Sequence, residues 1–384
     1  MQLLLLLFLV LAASANAQTP PLTLARALEL AQATNPQLAV ASAIGEGANA
    51  AITTAKARPN PEFNFLTGRQ YLLQASAAAG AQQHFGVSQL IELPSVRQAR
   101  LTLAEAGRDS TGFLMSETRL MLRGAIKQAF YQALRRRQEV TMAEENRRIV
   151  QDFERRIRIQ VEVGEAARLE LIRAETELNT ATAQLRSAQL RSTTAIAQLR
   201  ALLSLPASEE IRLDGTLDPA LDLPPFAELR GASLASHPSL GRLRAESRRA
   251  QANLRNEETL RGVTIPLPFV NKRQGQIAEA AAGISQANAS ASVLELQLAS
   301  QLERAYGEYQ VASQQVRAYE DGSLKEAEAA LSAAEAAYRL GERGILEVLD
   351  AQRVLRSIRY DYLNAQFDRQ SARIELEQLR GSDF

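Results

Sequence analysis

From Ser95 to Leu205 the chain contains no proline, and none follows Pro268. Proline inside a helix removes a backbone donor and clashes with the preceding turn, so proline-free stretches of this length leave room for very long helices. Glycine is sparse in the same stretches. The segment from about Ser95 to Val163 reads as one helix, and at 1.5 Å per residue it would be on the order of 100 Å long. No compact domain contains such an object; it must belong to a coiled-coil hairpin or a helical tube, with Gly164 and Gly341 at the hairpin tips or at helix breaks near them.

The apolar pattern supports helices that pack on helices. After Gly164, residues Leu171, Ala174, Leu178, Ala181, Leu185, Ala188, Ala195, Leu199 and Leu202 fall on alternating spacings of three and four, interrupted by Ser192. Val348, Ala351, Leu355, Ile358, Tyr362, Ala365, Ala372, Leu376 and Leu379 repeat the phase, interrupted by Arg369. A period near 3.5 implies left-handed supercoiling against partner helices. Alanine alternating with leucine at such a seam implies close approach.

These two stretches belong to a wider internal repeat. Leu28-Glu29-Leu30-Ala31 through Asn35-Pro36-Gln37-Leu38 returns as Leu229 through His237-Pro238-Ser239-Leu240, an offset of 202 (237 minus 35). Val87 to Leu90 matches Val263 to Pro266, and Arg97-Gln98 matches Arg273-Gln274, both at 176 (263 minus 87; 273 minus 97). Gly164-Glu165 and Leu169 to Ile172 match Gly341-Glu342 and Leu346 to Leu349 at 177 (341 minus 164). The expected organisation is a first repeat over 18–205, a linker over 206–226, and a second repeat over 227–384 that lacks about 26 residues (202 minus 176).

Before the repeats, Leu3 to Ala13 form an apolar run followed by Ala15-Asn16-Ala17, a small-x-small site. Residues 1–17 therefore read as a signal peptide cut before Gln18, and the mature chain as exported. No later segment is apolar enough for a membrane helix.

A different period governs residues from about 61 to 92. Phe63, Phe65, Thr67 and Tyr71 alternate with Asn64, Leu66, Gly68 and Gln70. After the Ala/Gly/Ser stretch from Ala75 to Ala81, Phe85, Val87, Gln89 and Ile91 alternate with Gly86, Ser88, Leu90 and Glu92. This predicts a β-hairpin whose strands are close to the 9 to 11 residues of a tilted transmembrane strand. In the second repeat a truncated strand region is expected at about 261–270, giving three candidate strands. The missing residues fall between Asn256 and Val263, where a first strand and outer loop would stand.

Hairpin, long helices, glycine-centred tips and an Ile265-Pro266-Leu267-Pro268 strand before Asn271-Lys272-Arg273-Gln274 together resemble the TolC-like outer-membrane efflux proteins, nearest their cation- and metal-efflux branch. The resemblance spans essentially the whole mature chain. It implies a mainly α fold of long antiparallel helical hairpins in two tandem repeats, with the short strand region contributing to a trimeric β-barrel. It implies a homotrimer in outer-membrane lipid that works with a periplasmic adaptor and an inner-membrane pump, as a passive conduit in a tripartite efflux system. The alternative is a family member without a competent barrel that acts as a periplasmic helical interaction protein.

Residues Tyr338 to Ala351 resemble the family's periplasmic tip segment. The resemblance implies that Tyr338 and Arg343 are gate-locking residues, that Glu347 and Asp350 line the constriction, and that Glu170 stands in the first repeat where an acid receives the arginine. Physically, carboxylates repeated by symmetry focus a negative potential that favours cations. The same acids also suit a helix start, where they favour the dipole.

Composition excludes other classes. Cysteine is absent, so no disulfide framework, thiolate nucleophile or Cys-ligated zinc is available. All but four of the 44 basic residues are arginine, yet they are interleaved with 43 acids for a net charge of +1. That is a solvated helix surface and not a nucleic-acid footprint. His84 and His237 lie far apart and suggest no catalytic or metal cluster. No enzyme activity and no cofactor are expected.

Overall fold

The computed structural model describes residues 21–70, 80–217, 223–260 and 273–383. Helices α1 (Leu24–Thr34) and α2 (Pro36–Lys56) lead into an antiparallel hairpin of β1 (Glu62–Gln70) and β2 (Gly80–Ser88). Then come α3 (Pro94–Glu162) and α4 (Arg168–Leu202), followed by α5 (Phe226–Ser236), α6 (Pro238–Leu260) and α7 (Gln274–Ala318). A π-helical turn (Tyr319–Ser323), α8 (Leu324–Arg339) and α9 (Ile345–Arg380) complete the chain. The single helix expected from about Ser95 to Val163 is α3. The proposed signal peptide and the strand expected at 261–270 lie outside the described residues, as does Tyr71.

Element starts follow the sequence offsets. Helices α1 and α5 are both 11 residues long and begin 202 residues apart (226 minus 24), each running into an X-Pro step. Helices α4 and α9 begin 177 apart (345 minus 168). At the first X-Pro step, Asn35 Oδ1 accepts from the Gln37 N–H at 2.9 Å, and Asn35 Nδ2 donates to the Leu202 carbonyl at 2.9 Å. Proline then fills a first-turn position where no donor is needed.

Where the second copy differs from α3, a single residue accounts for it. The absence of proline after Pro268 leaves no reason to expect an interruption, yet α7 passes into α8 through the π turn at Tyr319–Ser323. The landmark offset grows from 176 at Gln98/Gln274 to 177 at Gly164/Gly341, so one extra residue lies between them. A helix takes up one extra residue, without rotating its flanks out of phase, by widening one turn. The Leu324 N–H accordingly donates to the Tyr319 carbonyl, five residues back. The turn is built on Asp321, Gly322 and Ser323, which are poor helix formers.

The described residues divide into two units: 21–38, 118–237 and 297–383 form the first, and 39–117 and 238–296 the second. In the first unit the largest buried side chains, Ile126, Phe130 and Leu134 of α3, pack with Leu199 of α4, Leu203, and Leu363 and Phe367 of α9. A short parallel bridge ties Leu22 to Leu213, with the Leu22 N–H donating to the Arg212 carbonyl at 2.6 Å. In the second unit Arg100 pins the base of the β-hairpin. Its guanidinium donates to the Ala55 and Ala57 carbonyls at 3.2 and 3.0 Å and to the Glu92 carboxylate. Glu117 accepts from Ser239 Oγ and Arg242 Nε, both at 2.7 Å.

Both helical seams differ from the expected pattern. In α4 the residues at strict seven-residue spacing, Ala174, Ala181, Ala188 and Ala195, are buried, while Leu171, Leu178 and Leu185 are half-buried. In α9 the buried positions include Leu349 and Gln352, whereas Ala351, Ile358 and Tyr362 are half-buried. Helix α9 packs on more than one neighbour, so its buried stripe is wider than a two-helix seam.

The strands also end elsewhere. Glu62 pairs with Ser88, Phe65 with Phe85 and Gln70 with Gly80. Gln89 and Ile91, expected within the second strand, lie beyond it, because the register would set them against Pro61 and Pro59. Proline offers no N–H to a ladder. The Gln89 amide instead donates to the carbonyls of Pro59 and Leu90, at 2.9 and 3.0 Å.

Candidate functional site at the hairpin tips

The two helical turns at Gly164 and Gly341 are built alike. Both glycines have positive φ, +84° and +74°, a conformation glycine adopts without steric cost. The Gly164 N–H donates to the Val161 carbonyl at 3.2 Å and the Glu165 N–H to the Gln160 carbonyl at 2.7 Å. In the second tip Gly341 donates to Tyr338 and Glu342 to Ala337, both at 3.0 Å. Paired bonds of this spacing are the Schellman arrangement that closes a helix C-terminus. Helices α4 and α9 restart four residues later, and Glu170 and Glu347 each occupy the third position of the new helix, where a carboxylate interacts favourably with the helix dipole.

Below the turns an apolar cluster joins the two hairpins. Ile345, Val348 and Leu349 of α9 pack with Phe153 and Ile157 of α3 and Ala174 of α4. Tyr338 of α8 lies at its edge and donates its hydroxyl hydrogen to Gln160 Oε1 of α3 at 2.9 Å. Burial pushes the Tyr338 phenol above its ordinary value, the Gln160 hydrogen bond opposes that rise, and the Glu170 carboxylate adds to it. Tyr338 and Glu170 are thus close enough to interact electrostatically.

The other three candidates sit differently. Arg343 pairs with Glu347 on its own side of the turn, Nη1 to Oε1 at 3.0 Å, and both side chains are exposed. Within the chain, then, Arg343 is held by Glu347 and not by Glu170. Asp350 is 81% exposed and lies 3.8 Å from Arg353. Exposed apolar residues flank both tips at equivalent places: Val163 and Leu340, Leu169 and Leu346.

Sequence reasoning missed the buried ionic link between the hairpins. Glu177 of α4 is buried and accepts from Arg353 Nη2 of α9 at 2.7 Å, with Arg356 Nη1 at 3.5 Å. Its signal was an acid three residues after Ala174 and four before Ala181, on the alanine face. A second unforeseen contact ties α9 to the π turn. Tyr362 donates its hydroxyl hydrogen to Glu320 Oε1 at 2.8 Å, and its ring meets that of Tyr319 at 6.3 Å.

Burial, reinforced by Glu320, pushes the Tyr362 phenol up to about 12. The native state therefore holds this proton through the range above pH 10 in which an unfolded tyrosine loses it, so the stability the group contributes is complete below pH 10 and is lost as pH rises towards 12. In an ultraviolet phenolate titration Tyr362 should ionise near pH 12, and Tyr362→Phe should remove that phase. A titration unchanged by the substitution would contradict the assignment.

In the second unit the β-hairpin is two-faced. Phe63, Phe65, Phe85 and Val87 share one side, with the Phe65 and Phe85 rings 5.0 Å apart, and all four are exposed. Asn64, Leu66, His84 and Gly86 occupy the other side. Among the described residues no further strand pairs with either edge, no group of three or more His, Asp or Glu could hold a metal, and no helix is long and apolar enough to cross a membrane.

Paired helical hairpins with matching glycine turns, together with a strand hairpin that is aromatic on one exposed face, point to a membrane protein built of helical hairpins and strands. Residues 27–204 and 239–382 match the outer membrane efflux protein family. The cobalt-zinc-cadmium resistance protein CzcC of Cupriavidus metallidurans is 27% identical, over 94% of this chain and 90% of that protein. Among solved structures, CusC superposes with a TM-score of 0.80 at 18% identity, covering 94% of this chain and 92% of that one. The Campylobacter jejuni CmeC outer membrane channel gives 0.78 at 13% identity, covering 94% and 86%. The chain belongs to the outer membrane efflux protein family. It is accordingly a TolC-like protein of the outer membrane with most of its helical mass in the periplasm, in a family of efflux channels and not of enzymes.

Proposed function

We propose that this protein is the passive outer-membrane conduit of a tripartite efflux system, a homotrimer that receives its cargo from an inner-membrane pump through a periplasmic adaptor. The observation that carries this reading is the β-hairpin. Its aromatic face is exposed, and its two strands leave backbone donors and acceptors at both edges. In lipid such edges must be paired, which closed barrels achieve, so further strands, those of other copies included, complete the ladder. The name of the CzcC relative supports divalent metal cations as cargo. The exposed apolar residues beside Gly164 and Gly341 suit an adaptor docked at the tips.

In this reading Tyr338, Arg343, Glu347, Asp350 and Glu170 form the periplasmic gate. The Arg343–Glu347 pair is exposed and lies within one helix start, so it is worth only ~0.3–0.5 kcal/mol, and Arg343 exchanges it readily for Glu170 of a neighbouring hairpin in the closed trimer. Planar-bilayer recording of the purified full chain tests this. Three symmetry-related links of ~0.5 kcal/mol each make Arg343→Glu or Glu170→Arg alone raise leak about tenfold, and the double swap restores closure. Equal leak in all four proteins removes the gate assignment. A wild-type chain that washes off membranes in urea and does not conduct removes the conduit itself, in favour of a periplasmic interaction protein.

A further inference from the structure

Within the first unit, between the apolar cluster at the tips and the π turn, the packing of α9 changes character. Gln352 of α9 is 6% exposed, and neither its Nε2 nor its Oε1 has a hydrogen-bond partner in the protein. It lines a half-open cavity of about 190 Å³ between α3, α8 and α9. Asn146 and Arg356 contribute polar groups to the wall, and Ile149, Leu331 and Leu355 contribute apolar ones. An unpaired buried amide costs ~1–3 kcal/mol for each group left unmade, so a polar occupant is favoured there.

The chemistry of the walls narrows the occupant. The cavity is smaller than the ~300–1,000 Å³ of ordinary small-molecule pockets. An anion would need a guanidinium, but Arg356 is directed to Glu177 at 3.5 Å and Arg359 to Glu328 at 3.0 Å. A cation would find Glu145 as the one carboxylate in the wall, and that residue faces Arg359 at 3.7 Å. What remains is a small neutral species that both donates and accepts, as the two ends of the amide require. Water meets that need, and at ~30 Å³ each about six molecules would fit.

We propose that this cavity is a hydration site, in which a cluster of ordered waters solvates Gln352 and makes the contact of α8 and α9 with α3 a wet joint. Hydrogen bonds to water exchange at little cost as groups shift, whereas interlocked apolar side chains resist sliding. The α8–α9 hairpin is therefore held firmly at Ile345 and Val348 and loosely at Gln352, with the π turn at Tyr319–Ser323 at the start of its first helix. The site stands on this geometry alone. Its use in opening the tips rests on the gate reading above.

Crystals of the full-chain protein, with and without xenon pressure, decide the occupant, because dry apolar cavities take up xenon and hydrated polar ones exclude it. The wild-type protein should show at least two waters within hydrogen-bond reach of the Gln352 amide and no xenon. Gln352→Leu should lose the waters bonded to that amide. Xenon in the wild-type cavity, or a protein group bonded to the Gln352 amide in the assembled protein, overturns the site. Hydrogen exchange then tests the joint: Gln352→Leu should slow the α8 amides about tenfold, because each ordered water released returns ~0–2 kcal/mol of immobilisation entropy. Unchanged α8 exchange overturns the joint. Both measurements use the closed protein and need no conductance, so a charge swap at Arg343 and Glu170 without leak would sink the gate and leave the hydration site standing.

Discussion

Phe65→Lys combined with Phe85→Lys is expected to leave the protein in the urea-extractable fraction, with no conductance in bilayers. The two residues face each other across the hairpin, their rings are 5.0 Å apart, and they are 49% and 67% exposed within the chain. With Phe63 and Val87 they make a continuous apolar face whose only favourable surroundings are lipid or another apolar surface. A lysine on the lipid face of an outer-membrane barrel costs ~2–4 kcal/mol at the midplane and less near the interfaces. Two per chain, repeated by symmetry, exceed what a marginal insertion equilibrium tolerates. Asn64→Lys is the control, since Asn64 stands on the opposite face opposite Gly86, and it should insert normally. Membrane integration of the double variant at the wild-type level would show that this face does not meet lipid.

The second large effect belongs to the core of the first unit. Lys127 of α3 is only 10% exposed at its side chain and lies 2.5 Å from Glu377 and 2.6 Å from Asp383. Burial pulls the Lys127 ammonium below its ordinary value against the hold of Glu377. Lys127→Met leaves the Glu377 carboxylate, itself 6% exposed, with Arg373 at 3.3 Å as its remaining partner. Removing one member of a buried pair typically costs ~3–5 kcal/mol. The residual arginine puts the expectation near the lower end, ~3 kcal/mol, or about 6–12 °C in the unfolding midpoint of a unit this size. Lys127→Met with Glu377→Leu should recover only part of the loss, because it removes the stranded carboxylate but leaves Arg373, 16% exposed at its side chain, without Glu377. Circular dichroism melts at one protein concentration check both. A single variant as stable as the wild type would mean that the pair is solvated in the assembled protein.

Much of the architecture was legible before any coordinates. Pro94 and Gly164 together bounded α3 to within a residue at each end, since a helix of that length is interrupted only by residues that break or close its hydrogen bonding. Gly164 and Gly341 marked the two turns between long helices because a left-handed residue closing a helix is most often glycine. Even the π turn was encoded as arithmetic: an offset that grows by one between Gln98 and Gly164 requires an extra residue in the second copy's helix. What the count does not locate is the turn within that helix. The strand period was equally plain, but its end at Ser88 was not, because that depends on which residues of the partner strand stand opposite.

The pairing of side chains was the illegible part. Arg343 could be matched to Glu170 by resemblance, yet within one chain the nearer Glu347 takes it. Glu177 and Gln352 both looked like ordinary polar residues on long polar helices. Their burial follows from the approach of α9 to α4, α3 and α8, helices contributed by distant parts of the chain.

Local chemistry thus settled what acts over a few residues: the helix breaks, the glycine turns and the two-faced strands. Each is a matter of backbone sterics or of side-chain period along one element. Tertiary structure alone decided which flank of α9 is buried, which acid holds which arginine, and that a carboxamide stands against a polar cavity. Burial and ion pairing are properties of what arrives from elsewhere, and the sum of many small packing terms that brings those helices together is not written at any one position.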